Sequence, residues 1–255
     1  MSKVFDAYAA YYDLLYKDKD YDGEVEFIYK TLTESGIDKG RILELGCGTG
    51  KHAELLIDKG FYLHGIDMSQ GMIDAANSRM SASESDKYKF ELGDVRTFKT
   101  DGKFDVVVSL FHVASYQTET SDLLSMFETA AEHLDEGGVF IFDYWYGPAV
   151  LTDLPSVRVK RLEDESLKIT RIGEPELHHR SNVVDVNYDI LVEEKGINKV
   201  TQVKEKHCMR YLFIPELEYL LEASGFSLEK NIEWFTGSDL DISSWSAMVI
   251  ARKNK

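Results

Sequence analysis

The stretch RILELGCGTGKHAELLIDKGFYLHGIDMS, from Arg41 to Ser69, is the part of the chain that decides the fold. It opens with the apolar run of a buried strand, breaks into three alternate glycines and continues with the apolar spacing of a helix. A second apolar run then ends at Asp67. This order predicts one unit of a parallel sheet, with a ligand crevice at the carboxyl ends of its strands.

The glycine turn narrows the class of ligand. Gly46, Gly48 and Gly50 lack a Cβ atom, so a ligand can approach the backbone closely, and the next helix directs unpaired N–H groups at the same space. The carboxylate of Asp67 suits the two hydroxyls of a ribose. A dinucleotide site favours G-x-G-x-x-G, whereas the spacing here is G-x-G-x-G, with Glu44 two residues earlier. A carboxylate there is poorly placed beside a pyrophosphate and suits a ligand with a cationic amino-acid end and a sulfonium.

The pattern on either side of this stretch extends the same architecture. Strands and helices alternate as far as residue 150, which predicts a parallel, doubly wound sheet. From about Pro155 to Phe213 apolar and polar residues alternate with a period of two, which predicts antiparallel strands. A helix over Pro215–Ser224 and two last strands near Ile232–Phe235 and Ser246–Ala251 complete the chain.

We therefore expect an α/β fold with a Rossmann-like, doubly wound sheet of seven strands and an antiparallel β insertion after the fifth strand. The corresponding division has three parts. Residues 1–36 form a tyrosine-rich helical segment, residues 37–152 and 214–255 form the Rossmann-like domain, and residues 153–213 form the insertion.

Composition excludes several classes of function. The 255 residues are 44% apolar and carry a net charge of −16, and such a surface repels the phosphates of nucleic acid. Cys47 and Cys208 are the two cysteines, a number that favours a reducing compartment over a disulfide framework. No run approaches the length of a membrane span or a signal peptide, so we expect a cytoplasmic protein without a membrane partner.

At the glycine turn the chain resembles motif I of the class I S-adenosylmethionine-dependent methyltransferases. Later stretches agree with this family in order: ELGDVRTF at 91–98, FDVVVSLFHVASY at 104–116 and GGVFIFDYW at 137–145. The resemblance covers roughly residues 37–150 and implies S-adenosyl-L-methionine as the cofactor.

The family pattern implies a role for each matching position. Residues of the glycine loop would surround the methionine part of the cofactor, and the later acids would hold the ribose and the adenine. The residues implied are Glu44, Gly46, Cys47, Gly48 and Gly50 for the loop, Asp67 for the ribose, Met68, Asp94 and Val95 for the adenine, and Ser109 and Leu110 for the crevice wall.

Three further stretches resemble bacterial sugar N-methyltransferases, which include dimethyltransferases of nucleotide-linked amino sugars. They are YYDLLYKDKDY at 11–21, VVSLFHVASYQT at 107–118 and HCMRYLFIPELEYLLEASGF at 207–226, the last following the insertion. This resemblance implies that residues 1–36 act as a lid, that the insertion binds substrate, and that the acceptor is the amino group of a dTDP-type amino sugar. DNA and protein-amide N-methyltransferases usually have the motif Asn/Asp-Pro-Pro-aromatic after the fourth strand, where this chain has Ser109-Leu-Phe-His112.

Candidate acceptor-side residues follow from these stretches. His112 lies just past a strand end, and histidine as a residue type can exchange protons near neutral pH, so we take it as the first candidate base. Tyr16 matches a tyrosine that approaches the acceptor amine in the sugar enzymes. Both positions also fit plainer roles, His112 as a crevice wall and Tyr16 as packing. The substrate-binding candidates are Tyr12, Tyr116, Asp143, Trp145, Arg180 and Arg210, and further cations of the inserted strands are Arg158, Lys160, Arg161 and Arg171.

Several alternatives stay open on the sequence alone. In one alternative, the acceptor is another small amine or a sugar hydroxyl. In a different class, the chain is an NAD-dependent oxidoreductase or a protein that binds the cofactor without chemistry. His178 and His179 have no third ligand at metal spacing, so we expect no metal. A homodimer is left open.

Overall fold

The computed structural model describes residues 11–80, 85–197 and 199–255. The first ten residues of the expected lid, and residues 81–84 of the serine-rich loop, lie outside this description. The helices within it are α1 Tyr21–Glu34, α2 Lys51–Asp58, α3 Gln70–Arg79, α4 Thr120–His133, α5 Gly147–Thr152 and α6 Ile214–Ala223. The strands are β1 Gly40–Leu45, β2 Phe61–Asp67, β3 Tyr88–Leu92, β4 Phe104–Ser109, β5 Leu134–Tyr146, β6 Arg158–Glu163, β7 Leu167–His178, β8 Val183–Glu194, β9 Lys199–Leu212, β10 Phe226–Glu233 and β11 Ser246–Lys253.

The central sheet is mostly parallel. Its first five strands lie in the order β3-β2-β1-β4-β5, all parallel, and β11 and β10 continue it in antiparallel pairing beyond β5. The α/β class and the parallel core of the expected fold are therefore confirmed. The strand order reverses at β1, because β2 and β3 lie on one side of it and β4 and β5 on the other. A crevice therefore opens between the carboxyl ends of β1 and β4.

The four strands that follow β5 form an antiparallel meander, β6-β7-β8-β9. The last strand of this meander also pairs with the end of β5, in parallel, through Trp145–Tyr211 and Tyr146–Leu212. All strands of the described chain thus belong to one sheet of eleven. The expected count of seven treated these four strands as separate from the central sheet. They belong to it because β5 extends beyond its neighbouring strands as far as Tyr146, where it pairs with β9.

Both faces of the central sheet are covered, which explains the nearly continuous apolar strands. Ile42 of β1 faces a core shared with α1 and α2, whereas Leu43 faces the opposite core, shared with α4 and α6. Both side chains are completely buried.

The first of the two tail strands differs from the expectation. β10 begins directly after Gly225 and ends at Glu233, so that it overlaps the predicted strand near Ile232–Phe235 only at its end. A register shift between Leu228 and Lys230 interrupts the alternation of apolar and polar residues, so a search for a period of two does not detect the whole strand.

The described start of the N-terminal segment lies on the inserted strands, whereas α1 packs on the central sheet. Residues 11–15 are helical, and Tyr11 and Leu15 share a small core with Ile169 of β7 and Ile190 of β8. The segment therefore bridges the insertion and the crevice. Among the described residues, none of the helices has the length and apolar character needed to span a bilayer.

Candidate active site

The glycine loop between β1 and α2 is held against the end of β2 by backbone hydrogen bonds. The N–H groups of Gly46 and Cys47 both donate to the Ile66 carbonyl, at 2.8 and 2.9 Å. Gly46 has a φ of +82°, and a Cβ atom there would lie 2.6 Å from Val113 Cγ2. The loop therefore needs glycine at this position for packing against the turn after β4.

Asp67, at the end of β2, organises the loop as well as facing the crevice. Its Oδ2 accepts a 3.0 Å hydrogen bond from the Gly48 N–H, and its Oδ1 accepts one of 2.9 Å from the Ser69 N–H. Gly48 has a φ of +54° and no other atom within 4 Å of the place where a Cβ would lie. The space over Gly48 is consequently open for a ligand, and Met68 lies on the same wall.

Glu44 is the buried acid of the loop. Its side chain is 1% exposed, and among the described residues its Oε2 atom has no hydrogen-bond partner. Burial, with the charge of Asp67 adding to it, raises the pKa of the Glu44 carboxyl to about 8. A buried carboxyl oxygen without a partner, beneath a loop that is open above Gly48, fits a ligand that brings a positive charge. A pyrophosphate would instead hold this carboxyl in its neutral form and gain no charge interaction from it.

The adenine-side candidates are arranged differently from the family pattern. Asp94 accepts hydrogen bonds from Arg96, at 2.6 Å to Nη2 and 2.9 Å to Nε, and this pairing lowers the pKa of Asp94. Val95, Arg96 and Leu110 line the crevice, whereas Asp94 does not. Ser109 does not line the crevice either, because its hydroxyl donates to the Leu45 carbonyl at 2.9 Å. Sequence reasoning missed Arg96, although its position two residues after the acid was a usable signal.

The turn after β4 is strained and anchored by Asp143. Phe111 and His112 both have a φ of +65°, which is uncommon outside glycine. The buried Asp143 at the end of β5 accepts a 2.9 Å hydrogen bond from the His112 N–H. His112 Nδ1 also lies 2.8 Å from Asp143 Oδ2, but the two are not aligned as a hydrogen bond. Strained turns held in this way cluster at functional sites.

A cavity of about 930 Å³ runs from the glycine loop to the inner face of the inserted strands. It unites most of the predicted site residues in one place. Those that line it are Tyr12, Tyr16, Gly46, Cys47, Gly48, Asp67, Met68, Val95, Leu110, His112, Tyr116 and Trp145. Glu44, Gly50 and Asp143 lie behind this wall: Gly50 caps α2, and the other two act on the loop and the turn that form it.

The far end of the cavity is aromatic and basic. Arg171 of β7 donates to the Tyr16 hydroxyl at 3.2 Å and lies 4.8 Å from the ring centre of Tyr188. Lys160 of β6 donates to the Leu15 carbonyl at 2.5 Å, and burial and the nearby Arg171 lower its pKa. Together with Arg158 these cations face the cavity, so an anionic group at this end is compatible with the charges present.

Arg180 and Arg210 are not part of this cavity. Arg180 is exposed in the turn between β7 and β8. Arg210 is buried behind it, where it donates to Thr120 at 3.2 Å and to Glu216 at 2.9 Å, thereby tying β9 to α4 and α6. Alternation along β9 places Arg210 on the face opposite the cavity, and Arg180 lies in a turn outside it. Arg158, Lys160 and Arg171 line the cavity instead.

Asp13 belongs to the N-terminal stretch that resembles the sugar enzymes, but the sequence reasoning assigned it no role. It accepts a 2.9 Å hydrogen bond from the Thr49 hydroxyl and forms an ion pair with Arg79, which in turn donates to the Thr49 carbonyl at 2.8 Å. These contacts fasten the N-terminal segment over the glycine loop. The described part of the segment therefore covers the crevice.

A second polar cluster lies on the outer side of the insertion. Ligand atoms of Glu176, His178 and Asp185 come within 4.8 Å of one another. Asp185 accepts hydrogen bonds from His178 at 2.8 Å and forms an ion pair with Lys206 at 2.6 Å. The lysine supplies the positive charge that balances these acids, so we assign the cluster no metal.

A parallel sheet with an open glycine loop, a buried acid beneath it and an aspartate at the next strand end defines an α/β protein that binds a nucleoside cofactor with a cationic part. Comparison with known proteins gives the particular family. Residues 42–138 match the family model described as "Methyltransferase domain".

Individual relatives cover nearly the whole chain. The dTDP-3-amino-3,4,6-trideoxy-alpha-D-glucopyranose N,N-dimethyltransferase of Streptomyces venezuelae is 26% identical over 87% of this chain and 91% of its own. A solved S-adenosylmethionine-dependent methyltransferase from Clostridium acetobutylicum ATCC 824 superposes with a TM-score of 0.83 at 21% identity, covering 98% of this chain and 99% of the other. CalS10, an amino pentose methyltransferase from Micromonospora echinaspora solved with S-adenosylmethionine, gives 0.76 at 19%, covering 98% of each.

Residues 42–138 thus carry a methyltransferase domain, and the chain is an S-adenosylmethionine-dependent methyltransferase, in agreement with its resemblance to the class I enzymes. Its cofactor is S-adenosylmethionine. The buried, unpartnered oxygen of Glu44 and the open space over Gly48 agree with this cofactor, because it carries a sulfonium and an ammonium.

Proposed function

We propose that this methyltransferase acts on a small polar acceptor, and specifically on the amino group of a nucleotide-linked, dTDP-type amino sugar. The observation that carries the proposal is the single cavity, which has a cofactor loop at one end and the cations Arg158, Lys160 and Arg171 at the other. A nucleotide-linked sugar has its diphosphate and its amine at separate ends, and this arrangement of charges matches both. The relative from Streptomyces venezuelae is an N,N-dimethyltransferase of such a sugar, which supports the same substrate class.

The size and lining of the cavity also favour such an acceptor. Its volume of about 930 Å³ is near the upper end for small-molecule sites, enough for a cofactor and a sugar together. Trp145 offers an aromatic face for a sugar ring, with its indole ring 5.8 Å from Trp245. The net charge of −16 disfavours a nucleic-acid acceptor.

The chain contributes binding, orientation and proton handling to the reaction. When bound, the cofactor supplies a methyl group already activated by its sulfonium. Glu44, Gly48 and Asp67 would hold it, and the N-terminal segment fastened through Asp13 would exclude water. Tyr16 would position the acceptor amine. His112, oriented by its backbone bond to Asp143, is proposed to accept the proton that the amine releases once it has been methylated.

The division of the chain follows from these roles. We propose that the segment up to residue 36 is a lid, that 37–152 and 214–255 form the cofactor-binding domain and that 153–213 bind substrate. A reducing, cytoplasmic location stays a prediction that rests on the free thiols of Cys47 and Cys208. A homodimer likewise stays open.

A panel of acceptors tests the proposal. The purified protein is incubated with S-adenosylmethionine and dTDP-3-amino-3,6-dideoxyglucose, and mass spectrometry follows products heavier by one or two methyl groups. The matched control is the same nucleotide sugar with a hydroxyl in place of the amine. Glycine serves as an amine without a nucleotide.

Each outcome has a meaning. Methylation of the amino sugar alone supports the proposal, whereas methylation of the hydroxyl sugar or of glycine alone favours the corresponding alternative acceptor. A thermal-shift assay with S-adenosylhomocysteine and with NAD runs in parallel. Stabilisation by NAD and none by S-adenosylhomocysteine would contradict the assigned chemistry.

A further inference from the structure

A second histidine lies at the acceptor end of the cavity, and the sequence pattern did not draw attention to it. His207 of β9 is buried, and its Nδ1 is 2.7 Å from the hydroxyl of Tyr116, which lies in the 3₁₀ helix Val113–Tyr116. Its Nε2 is 3.2 Å from Oε2 of Glu205 on the same strand. Tyr116 and His207 both line the cavity, and Glu205 lies behind them.

The direction of these hydrogen bonds follows from the chemistry of the three groups. A carboxylate has no proton to donate, so the Nε2 atom of His207 must donate to Glu205. In a neutral imidazole the other nitrogen is then an acceptor, which makes the Tyr116 hydroxyl the donor to Nδ1. The three side chains thus form a directed chain from the cavity surface to a buried acid.

The carboxylate of Glu205 is placed to stabilise a charge on the histidine. Its side chain is 3% exposed, and among the described residues its Oε1 atom has no hydrogen-bond partner. Burial holds the pKa of Tyr116 well above its ordinary value, so the phenol stays neutral and passes a proton on rather than keeping a charge. The titratable and charged groups that face the trio from neighbouring elements are Tyr188 of β8, Arg171 of β7, and Tyr11 and Tyr16 of the N-terminal segment.

We propose that Tyr116, His207 and Glu205 form a proton relay that deprotonates the acceptor ammonium before methyl transfer. The acceptor nitrogen gives one proton to the Tyr116 oxygen while Tyr116 gives its own to His207 Nδ1. The acceptor changes from ammonium to neutral amine, His207 becomes an imidazolium beside Glu205, and the net charge of the cavity is unchanged. The inference rests on the proposed amine acceptor, because only an ammonium needs this step.

The relay is separate from the pair of His112 and Asp143. His112 is fixed by a backbone hydrogen bond in the turn after β4, and its Nδ1 faces Asp143 without the alignment of a hydrogen bond. His207 is bonded through both ring nitrogens. A histidine in that position has a donor on one side and an acceptor on the other, which is the arrangement that proton transfer requires.

Variants with matched shape test the relay through the pH profile. His207→Asn keeps a hydrogen-bond acceptor for Tyr116 but takes up no proton, and Glu205→Gln removes the charge at equal size. The acceptor is dTDP-3-amino-3,6-dideoxyglucose, assayed from pH 7.0 to pH 9.5. Lys206→Gln, a change on the exposed side of the same strand, is the control.

We expect His207→Asn to lower kcat at pH 7.0 about 100-fold, the usual contribution of a general base. The affinity for S-adenosylhomocysteine should stay within about twofold, because the relay does not touch the cofactor loop. At pH 9.5 solution base supplies the neutral amine, and we expect at least about a tenfold recovery. A loss that is the same at both pH values, or no loss, would show a structural role and overturn the relay.

A measurement without acceptor separates this inference from the proposed function. In ¹⁵N-histidine spectra of the wild-type protein, His207 should carry its proton on Nε2, and Tyr116→Phe should shift the Nδ1 signal while Lys206→Gln leaves it unchanged. If no amine in the panel is methylated, the proposed acceptor fails, and these spectra then decide whether the hydrogen-bonded chain exists. A proton on Nδ1 in the wild-type protein would overturn it.

Discussion

Replacement of the buried acid beneath the glycine loop gives the sharpest test of how this protein holds its cofactor. Glu44 has a pKa of about 8 in the protein without ligand, so most molecules carry it protonated at pH 7. A cationic ligand bound beside the carboxyl favours the ionised form and must therefore displace that proton. Affinity for the cofactor should consequently rise with pH until Glu44 is ionised in the free protein as well.

The size of this effect follows from the pKa. Each pH unit below 8 costs about 1.4 kcal/mol of binding free energy, which is about tenfold in Kd. Between pH 8 and pH 6 the Kd should increase about fifty-fold, since half of the molecules are already protonated at pH 8. At pH 7, binding should release about 0.9 proton from this group. Glu44→Gln has no proton to displace and should lose this dependence.

Isothermal titration calorimetry with S-adenosylmethionine, in the absence of acceptor, measures both quantities, Kd from the isotherm and proton release from the enthalpy in buffers of different ionisation heat. The amino group of the ligand titrates equally in every variant, so the difference between wild type and Glu44→Gln isolates the carboxyl. Glu218→Gln, an exposed position of α6, is the control. The same pH slope in the wild type and in Glu44→Gln would refute the reasoning.

The remaining predictions concern stability, the loop, the turn and the lid. The pKa of Glu44 is raised from 4.5 to about 8 in the folded protein, so the contribution of this group to stability is present at low pH and lost as the pH rises. In urea titrations between pH 5 and 8, the ligand-free Glu44→Gln protein should therefore lose less unfolding free energy than the wild type, by at most about 4 kcal/mol. Gly48→Ala places a methyl group in the open cofactor space at a left-handed φ, so affinity for S-adenosylhomocysteine should fall at least about tenfold. The control Gly36→Ala is also left-handed but lies outside the cavity lining, and it should cost only about 1 kcal/mol of stability. His112→Asn, which tolerates the left-handed turn, should reduce turnover at least about tenfold with cofactor affinity unchanged in calorimetry; unchanged turnover removes it as a base. Asp13→Ala releases the N-terminal segment and should raise the dissociation rate of S-adenosylhomocysteine in stopped-flow measurements several-fold; an unchanged rate would contradict the lid.

Much of the fold could be predicted because its signals are local. The alternation of buried strands and amphipathic helices from Arg41 onward depends on residues a few positions apart, and so does the glycine loop with Asp67. The structure confirms the α/β class and the parallel core. The bounds of β10 were missed because a bulge at Leu228 interrupts the period on which the prediction relied.

The cofactor side of the site was also within reach of the sequence, since its residues follow the ends of consecutive parallel strands. The position of Glu44 in the apolar run of a buried strand was enough to predict a buried acid beneath the loop. Arg96 was within reach too, because it pairs with Asp94 two residues away. The order of strand ends along the chain is therefore enough to find this half of the crevice.

The acceptor side was decided only by the tertiary structure. Tyr116 and His207 are 91 positions apart and meet because the meander folds back until β9 pairs with the end of β5. Asp13 reaches Arg79 across 66 positions in the same way. Alternation along a strand tells which residues share a face, but not which distant group that face meets, because sheet register and the packing of segments set that choice. For this reason Arg180 and Arg210 were expected at an end of the cavity that Arg158, Lys160 and Arg171 line instead.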